Sequence, residues 1–331
     1  MRVVGVSGEA GYGGPEALRV FVLPERHAGP GEVRLAVRAA AVNPTDTFTR
    51  AGLRHELLKE FDPPYVPGMD VAGIVDEVGP DTDGDLVVGD RAMAIVVPSG
   101  QHGGYSDSLV LPAASVARAP AGVTLAEAST LPMNGLTARK ALDMLALPRG
   151  ATIAVTGAAG AFGGYVVQLA KADGLRVVAD ASDTDEDLVR GLGADVVVRR
   201  GDDVAARIRA AIPDGVDAVA DGAIQDGLVL PAIRDGGAVA AVRPFAAEPA
   251  RGIVVHMVWV REYMLAHDKL DRLRQQVEEG ALTLRVAATY PPERAGEAHA
   301  RLERGGTRGR LVIEFRGEPR ATDSAARAPG R

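Results

Sequence analysis

Cysteine is absent from all 331 residues, which excludes disulfides, thiolate nucleophiles, iron–sulfur clusters and every zinc site that needs sulfur. An excess of basic residues is missing too. The 37 Lys and Arg against 44 Asp and Glu leave a net charge of -7, so there is no broad cationic footprint for a nucleic-acid partner. No stretch approaches the ~20 uninterrupted apolar residues of a membrane-spanning helix. Nor do Met1-Arg2-Val3-Val4-Gly5 begin a long apolar core followed by a cleavage site. The expectation is a cytoplasmic protein with no membrane partner. What is present points to a folded chain: 47% hydrophobic and 24% charged residues are ordinary for a globular protein. Gly 40 and Pro 21 imply many turns and close backbone approaches. At roughly 150 residues per domain the length suits two domains.

Two textures follow one another along the chain. Residues 1–118 hold short β-branched runs cut by Gly and Pro, such as Glu32-Val33-Arg34-Leu35-Ala36-Val37 and Gly73-Ile74-Val75-Asp76-Glu77-Val78-Gly79, the pattern of an all-β or partly open barrel domain. From about residue 120 strand, glycine, helix and strand alternate, which predicts a doubly wound parallel sheet covered by helices on both faces. Ala151–Thr156 reads as its first strand, and Leu175–Ala179 as the next. Further strands are predicted at 196–198, 216–220 and 238–242, followed by an apolar run at 253–255, a helix over 262–279, and a last strand at 311–313. The tail 317–331 is Pro, Ala, Arg and Gly without periodicity and is expected to be disordered.

Between the first strand and its helix lies Gly157-Ala158-Ala159-Gly160-Ala161-Phe162-Gly163-Gly164. A strand-to-helix turn of this kind aims its amides outward, where a diphosphate accepts hydrogen bonds at the positive end of the helix. Gly160 would let the pyrophosphate approach the main chain, and Gly163 would let helix and strand pack closely. The first glycine of G-x-G-x-x-G is Ala158 here, so the match is imperfect, and a ligand-free glycine-rich corner is the competing reading. Asp180 falls near the position that takes the adenosine ribose, but Ala181-Ser182 also compete for it. Arg199 and Arg200 could approach a 2′-phosphate or form a solvated pair.

Taken in order, Gly13-Gly14-Pro15-Glu16, Val42-Asn43-Pro44-Thr45-Asp46, Val66-Pro67-Gly68-Met69-Asp70, Gly73-Ile74-Val75, Val88-Gly89-Asp90-Arg91, Gly103-Gly104-Tyr105, Leu136-Thr137-Ala138, the glycine loop and Gly309-Arg310-Leu311-Val312-Ile313 resemble the medium-chain dehydrogenase/reductases. They are most similar to the zinc-independent, zeta-crystallin-like quinone oxidoreductase branch. The resemblance spans nearly the whole chain. It implies an α/β protein with a GroES-like β-rich catalytic domain over 1–118 and 255–316, and a Rossmann cofactor domain over 119–254. It also implies a homodimer, through an edge strand near 253–258. Zinc-bearing relatives would carry a cysteine near Asn43, a His-Glu pair near Gly68-Met69 and a third ligand near Met133, none of which is present. The histidines His27, His55, His102, His256, His267 and His299 have no ligand-like spacing, so no zinc is expected.

The same resemblance implies an interdomain cleft with Asn43, Asp46 and Tyr105 as catalytic candidates, Asn43 orienting a carbonyl and Tyr105 donating a proton. Asn43-Pro44-Thr45-Asp46 is equally a helix start, with an Asn cap and Pro in the first position. Phe48, Met133, Asn134, Trp259 and Tyr263 would line the substrate pocket. Cofactor contacts would come from Thr137, Ala158, Ala159, Gly160, Ala161, Phe162, Gly163, Asp180, Ser182, Arg200, Gly222, Ala240, Val242 and Arg310. Thr137 could instead bond its own helix backbone, and Arg310 could be a plain surface residue. Without a Lewis acid, alkoxide chemistry is disfavoured and hydride transfer to an already electrophilic quinone or conjugated enone is favoured. The expected function is therefore NADPH-dependent reduction of a small electrophilic carbonyl compound, NADPH being preferred over NADH. An enoyl-thioester or polyketide-tailoring reductase is a second reading, and a non-catalytic nucleotide sensor a third.

Overall fold

The computed structural model describes residues 1–315, and the tail expected to be disordered lies outside them. The first unit is built on the long strand Glu32–Ala41, in which Val33, Leu35 and Val37 turn inward at every second position, as the strand period requires. It pairs antiparallel with Asp70–Val78, Ser108–Pro112 and Arg310–Glu314. Arg91–Ile95, Val116–Arg118 and Val286–Tyr290 complete a seven-stranded sheet. Arg2–Gly5 and Arg19–Val22 form a separate two-stranded ribbon.

The second unit is a six-stranded parallel sheet of Thr152–Thr156, Arg176–Ala181, Val196–Arg199, Val216–Asp221, Ile233–Ala241 and Val254–Met257. Numbered along the chain within this sheet, the strand order is 3-2-1-4-5-6. The direction of winding reverses beside the first strand, so a crevice opens at the carboxyl ends of the first and fourth strands. Their hydrophobic runs are buried on both faces because helices cover both. Val254–Met257 pairs with Ile233–Ala241, so the cofactor unit does not end at 254 as expected. The helix foreseen over 262–279 is a 3-10 turn, Val260–Tyr263, followed by His267–Glu278. Leu270 and Leu273 of that helix share a core with Leu136 and Leu169 of the parallel unit. The chain returns to the seven-stranded sheet only at Val286–Tyr290.

The helix Pro132–Leu145 starts with proline at its first position, where the missing N–H costs nothing. Its apolar residues Leu136, Ala138, Ala141 and Leu142 join one core with Ala72, Met93, Ile95 and Ala117 of the seven-stranded sheet. The two units are thus fused by a continuous apolar interface. A Cβ on Gly135 would meet Leu273 Cδ1 at 3.1 Å. Replacing Leu273 with Ala should lower stability by about 2–5 kcal/mol in urea denaturation, whereas the exposed neighbour Arg272→Ala should stay within about 0.5 kcal/mol.

Candidate active site

The glycine loop sits at the crevice. Gly157 has φ 66°, a conformation that favours glycine, and a Cβ there would lie 2.9 Å from the Gly222 carbonyl carbon. The tight-turn role expected at residue 158 is therefore filled one position earlier, and Ala158 is a buried residue behind the turn. A Cβ on Gly163 would lie 2.4 Å from the Gly157 oxygen, so the close helix–strand approach read from the sequence is present. The helix Ala161–Ala172 begins after Gly160 with no side-chain cap, leaving the first-turn end open to an anion. Phe162 covers Gly222. Ala159, Gly160 and Ala161 form the rim, Val242 follows the end of the fifth parallel strand, and Ala240 lies inside that strand, fully buried. The bare, crowded backbone of this loop fits a dinucleotide pyrophosphate.

Two residues brace the loop. Asp180 is 4% exposed, and its Oδ1 accepts the Ala158 amide at 3.1 Å. Burial raises its pKa, opposed by the loop amides and Arg200. From the other unit Arg285 donates to the carbonyls of Ala159 (3.1 Å) and Gly160 (2.8 Å). The sequence reading missed Arg285, which precedes a strand of the other sheet and carries no local motif. Arg310 was expected at the pyrophosphate, and the structure corrects this. Its side chain is buried beneath the cleft, donating through Nη2 to Asn43 Oδ1 (2.7 Å), the Val42 carbonyl (3.0 Å) and Asp70 Oδ2 (3.1 Å).

That guanidinium is the centre of a polar cluster joining both units. Asn43 Nδ2 donates to Asp70 Oδ2 at 2.8 Å, and the Met133 amide donates to Asp70 Oδ1 at 2.5 Å. Asn43 precedes the helix Pro44–Arg50, Asp70 opens a barrel strand, Met133 lies in the first turn of Pro132–Leu145, and Arg310 opens the last strand. Burial pushes the Asp70 carboxyl up, and Arg310, Asn43 and the Met133 amide oppose it.

Asp46 and Tyr105 are also turned inward. Asp46 accepts the amides of Asn43 (2.8 Å) and Gly68 (3.0 Å) and the Tyr105 hydroxyl (3.1 Å). Tyr105 Oη in turn meets His299 Nε2 at 3.0 Å. With the hydroxyl proton pointing to Asp46, His299 donates from Nε2, which leaves its buried Nδ1 unpartnered. Asn43, Asp46 and Tyr105, expected to act on substrate, are each at most 1% exposed, with their polar atoms consumed by one another and their neighbours. They position the wall of the cleft and do not line it. Burial raises the Asp46 pKa to about 6 and lowers that of His299 to about 3.

Of the pocket candidates, Phe48, Met133 and Asn134 remain half-buried. The Arg243 guanidinium, from the parallel unit, stacks on the Phe48 ring at 4.4 Å across the cleft. Thr137 Oγ1 donates to its own helix at the Met133 carbonyl (2.6 Å), the backbone bond read as its alternative, and keeps its acceptor capacity. Trp259 is 53% exposed. Tyr263 is corrected: its hydroxyl donates to Asp143 at 2.8 Å with Lys140 and Lys269 over the ring, in a separate polar groove beside Arg139. At the adenosine side, Arg308 holds Asp185 (2.6 Å), and Ser182 Oγ also donates to Asp185. The Arg200 guanidinium has no hydrogen-bonded partner among the described residues and lies within electrostatic range of Asp180 and Asp185. Among the described residues no group of three or more His, Asp or Glu is placed to hold a metal, and no helix is long and apolar enough to cross a membrane.

Fold and site together define a two-domain nucleotide-dependent oxidoreductase. Residues 29–121 match the alcohol dehydrogenase GroES-like domain, and residues 192–313 the zinc-binding dehydrogenase domain. The NADPH-dependent alkenal/one oxidoreductase of Arabidopsis thaliana chloroplasts is 30% identical over 91% of this chain and 77% of its own. A chloroplastic quinone oxidoreductase of Triphysaria versicolor is 29% identical over 92% and 96%. A mycobacterial protein solved with NADPH superposes with a TM-score of 0.80 at 26% identity, covering 95% of this chain and 100% of that one. The chain belongs to the medium-chain dehydrogenase/reductase superfamily, in its quinone oxidoreductase branch.

Two outcomes test the buried polar groups. His299 is held neutral, so its contribution is complete above pH 6.5 and is lost as pH falls toward 3. Asp46 has the opposite sign: its raised pKa favours the protonated fold, so stability is gained as pH falls from about 6 to 3.8. In urea titrations at stepped pH, His299→Phe should make the acid-side loss shallower, and Asp46→Asn should make it steeper between pH 6 and 4. Separately, Gly163→Val should weaken nucleotide binding by about tenfold or more in fluorescence titration, because its side chain would push the Gly157 turn outward.

Proposed function

We propose that this enzyme reduces quinones and α,β-unsaturated carbonyl compounds with NADPH and without a metal. The carrying observation is the uncapped glycine turn at the switch point of the parallel sheet, and we assign the half-buried Phe48, Met133 and Asn134 to the substrate side. A nicotinamide bound there would supply hydride to the electrophilic carbon, and one solvent proton would complete the balance: enone, NADPH and H+ give saturated ketone and NADP+. The protein's own part is to bind, orient and keep water out. The loop amides would hold the diphosphate end, with Arg285 bracing the loop through its carbonyls, and Phe48 and Met133 would supply apolar walls. The Asn134 carboxamide, half-buried and without an intramolecular hydrogen bond among the described residues, is a donor for the developing enolate or quinol oxyanion.

The donor chemistry at the positions of the zinc ligands supports the metal-free reading. Asn43, at one of those positions, and Asp70, next to another, are both bonded to the Arg310 cation, so a permanent positive charge already occupies that pocket and would repel a metal ion. The choice of NADPH is supported by the adenosine side. Asp180, the carboxylate that would take the ribose hydroxyls of NADH, is consumed inside the loop, while Ser182, Arg200 and Arg308 are near the place a 2′-phosphate would occupy. A homodimer through the outer strand Val254–Met257 is the assembly we infer, because this strand has an unpaired edge and its Val254 is 51% exposed.

The purified protein should oxidise NADPH in the presence of 1,4-benzoquinone, followed at 340 nm. Arg308→Ala and Arg200→Ala should each raise KM for NADPH about tenfold while changing KM for NADH less than about twofold. An equal effect on both nucleotides would remove the 2′-phosphate assignment.

A further inference from the structure

An arginine of the seven-stranded unit crosses to the parallel unit beside the glycine loop. Arg308 belongs to the segment between the helix Ala295–Glu303 and the strand Arg310–Glu314. Gly305 and Gly306 in that segment both have φ 70°, and a Cβ on either would meet no heavy atom within 4 Å, so packing does not wedge the segment in place. Gly309 lies against Arg285, where a Cβ would be 2.8 Å from the carbonyl oxygen. Arg285 in turn is bonded to the carbonyls of Ala159 and Gly160. Arg308 therefore stands next to the turn assigned to the diphosphate.

Across the domain junction it meets Asp185. Arg308 Nε and Nη2 donate to the two oxygens of that carboxylate at 2.5 and 2.6 Å, and Ser182 Oγ donates to the same group. Arg308 Nη1 reaches only the Thr307 carbonyl, at 3.4 Å. A guanidinium fork with a hydroxyl beside it is the donor set of an anion site. It lies just past the end of the second parallel strand, Arg176–Ala181, where a dinucleotide presents the 2′ position of its adenosine ribose. The anion in it belongs to the chain itself. Asp185 is 5% exposed and stands immediately before the helix Glu186–Gly191, yet its carboxylate does not cap that helix, although an aspartate there ordinarily accepts a first-turn amide. Asp183 pairs with Arg199 at 3.6 Å and Glu186 with Arg190 at 2.6 Å, so Asp185 is the acid that faces Arg308.

We propose that Asp185 is a specificity-determining residue that stands in for the 2′-phosphate. Its carboxylate holds Arg308 until NADPH binds; the phosphate then takes Arg308 and Ser182, and Asp185 turns to the first turn of its own helix. This rests on the NADPH reading above and adds a competitor to it. A phosphate, with more charge and three acceptor oxygens, is the stronger partner for the fork. With NADH no phosphate arrives, and Arg308 keeps its partner. The exchange therefore weakens NADPH binding by the cost of opening the pair and narrows the preference between the two nucleotides.

The probes are 2′,5′-ADP and 5′-ADP, which carry the adenosine end with and without the 2′-phosphate, titrated calorimetrically into the full chain. Asp185→Asn should tighten 2′,5′-ADP by about fivefold to tenfold and change 5′-ADP by less than about twofold. In the Arg308→Ala background the same substitution should change 2′,5′-ADP by less than about twofold. Unchanged or weaker 2′,5′-ADP binding by Asp185→Asn overturns the proposal. So does an equal gain in the Arg308→Ala background, which would mean plain repulsion without exchange. Should Asp185→Asn fail to fold, a crystal of the wild-type protein with 2′,5′-ADP decides: Arg308 bonded to the phosphate and Asp185 released supports the exchange, and an intact Arg308–Asp185 pair overturns it. Each of these failures leaves the reductase reading standing, because that reading requires only quinone-dependent oxidation of the nucleotide. Absence of binding by both probes overturns the exchange and the nucleotide site together.

Discussion

The buried contact between Arg310 and Asp70, shared with Asn43, is the constraint on which the remainder of the molecule depends. It joins the last barrel strand, an early barrel strand, the start of the helix Pro44–Arg50 and, through the Met133 amide, the first turn of the helix leading into the parallel sheet. Removing one member would leave charges and donors in a site closed to water, where an unpaired group costs ~3–5 kcal/mol. The cluster therefore behaves as one unit. It fixes the angle between the two domains at the place where the cleft opens, and the apolar interface around Leu136 and Met93 extends the same junction outward.

From that junction the site divides into two kinds of surface. The cofactor side is almost wholly backbone: a glycine turn too crowded for side chains, an uncapped helix end, and carbonyls tied back by Arg285. The substrate side that we propose is made of side chains, with Phe48 beneath Arg243 and Met133 and Asn134 in the first turn of Pro132–Leu145. This partition suits a reaction in which the bound nucleotide supplies the chemistry and the protein supplies position. The tyrosine, aspartate and histidine chain below is rigid support. Its groups are held at unusual protonation preferences by desolvation.

Several features were readable one residue at a time. The strand–glycine–helix unit after residue 150 is a local pattern, and Gly163 does what its spacing implies, because a helix entering a parallel sheet needs that clearance wherever the chain goes next. Asn43-Pro44-Thr45-Asp46 shows the limit of such reading. Both of its meanings were open in the sequence, and the helix-start meaning prevails because Asp46 returns to the Asn43 amide while Arg310, 267 residues away, takes the Asn43 side chain. Tyr105 and Arg310 lie in recognisable motifs, but a motif does not say which way a side chain turns.

The order of amino acids alone determined the two-domain architecture, the parallel sheet, the nucleotide loop and the absence of any thiolate ligand, since each follows from periodicity, glycine placement or composition within a few dozen residues. Tertiary structure decided the partners. Arg285 reaches the glycine loop from the opposite domain, Arg310 is enclosed under the cleft, and Arg243 comes to rest on Phe48, in each case because burial and charge pairing are settled between segments far apart in the chain. Local pattern sets what a stretch of backbone can become. Which polar groups are left facing the substrate depends on how all the others have been satisfied.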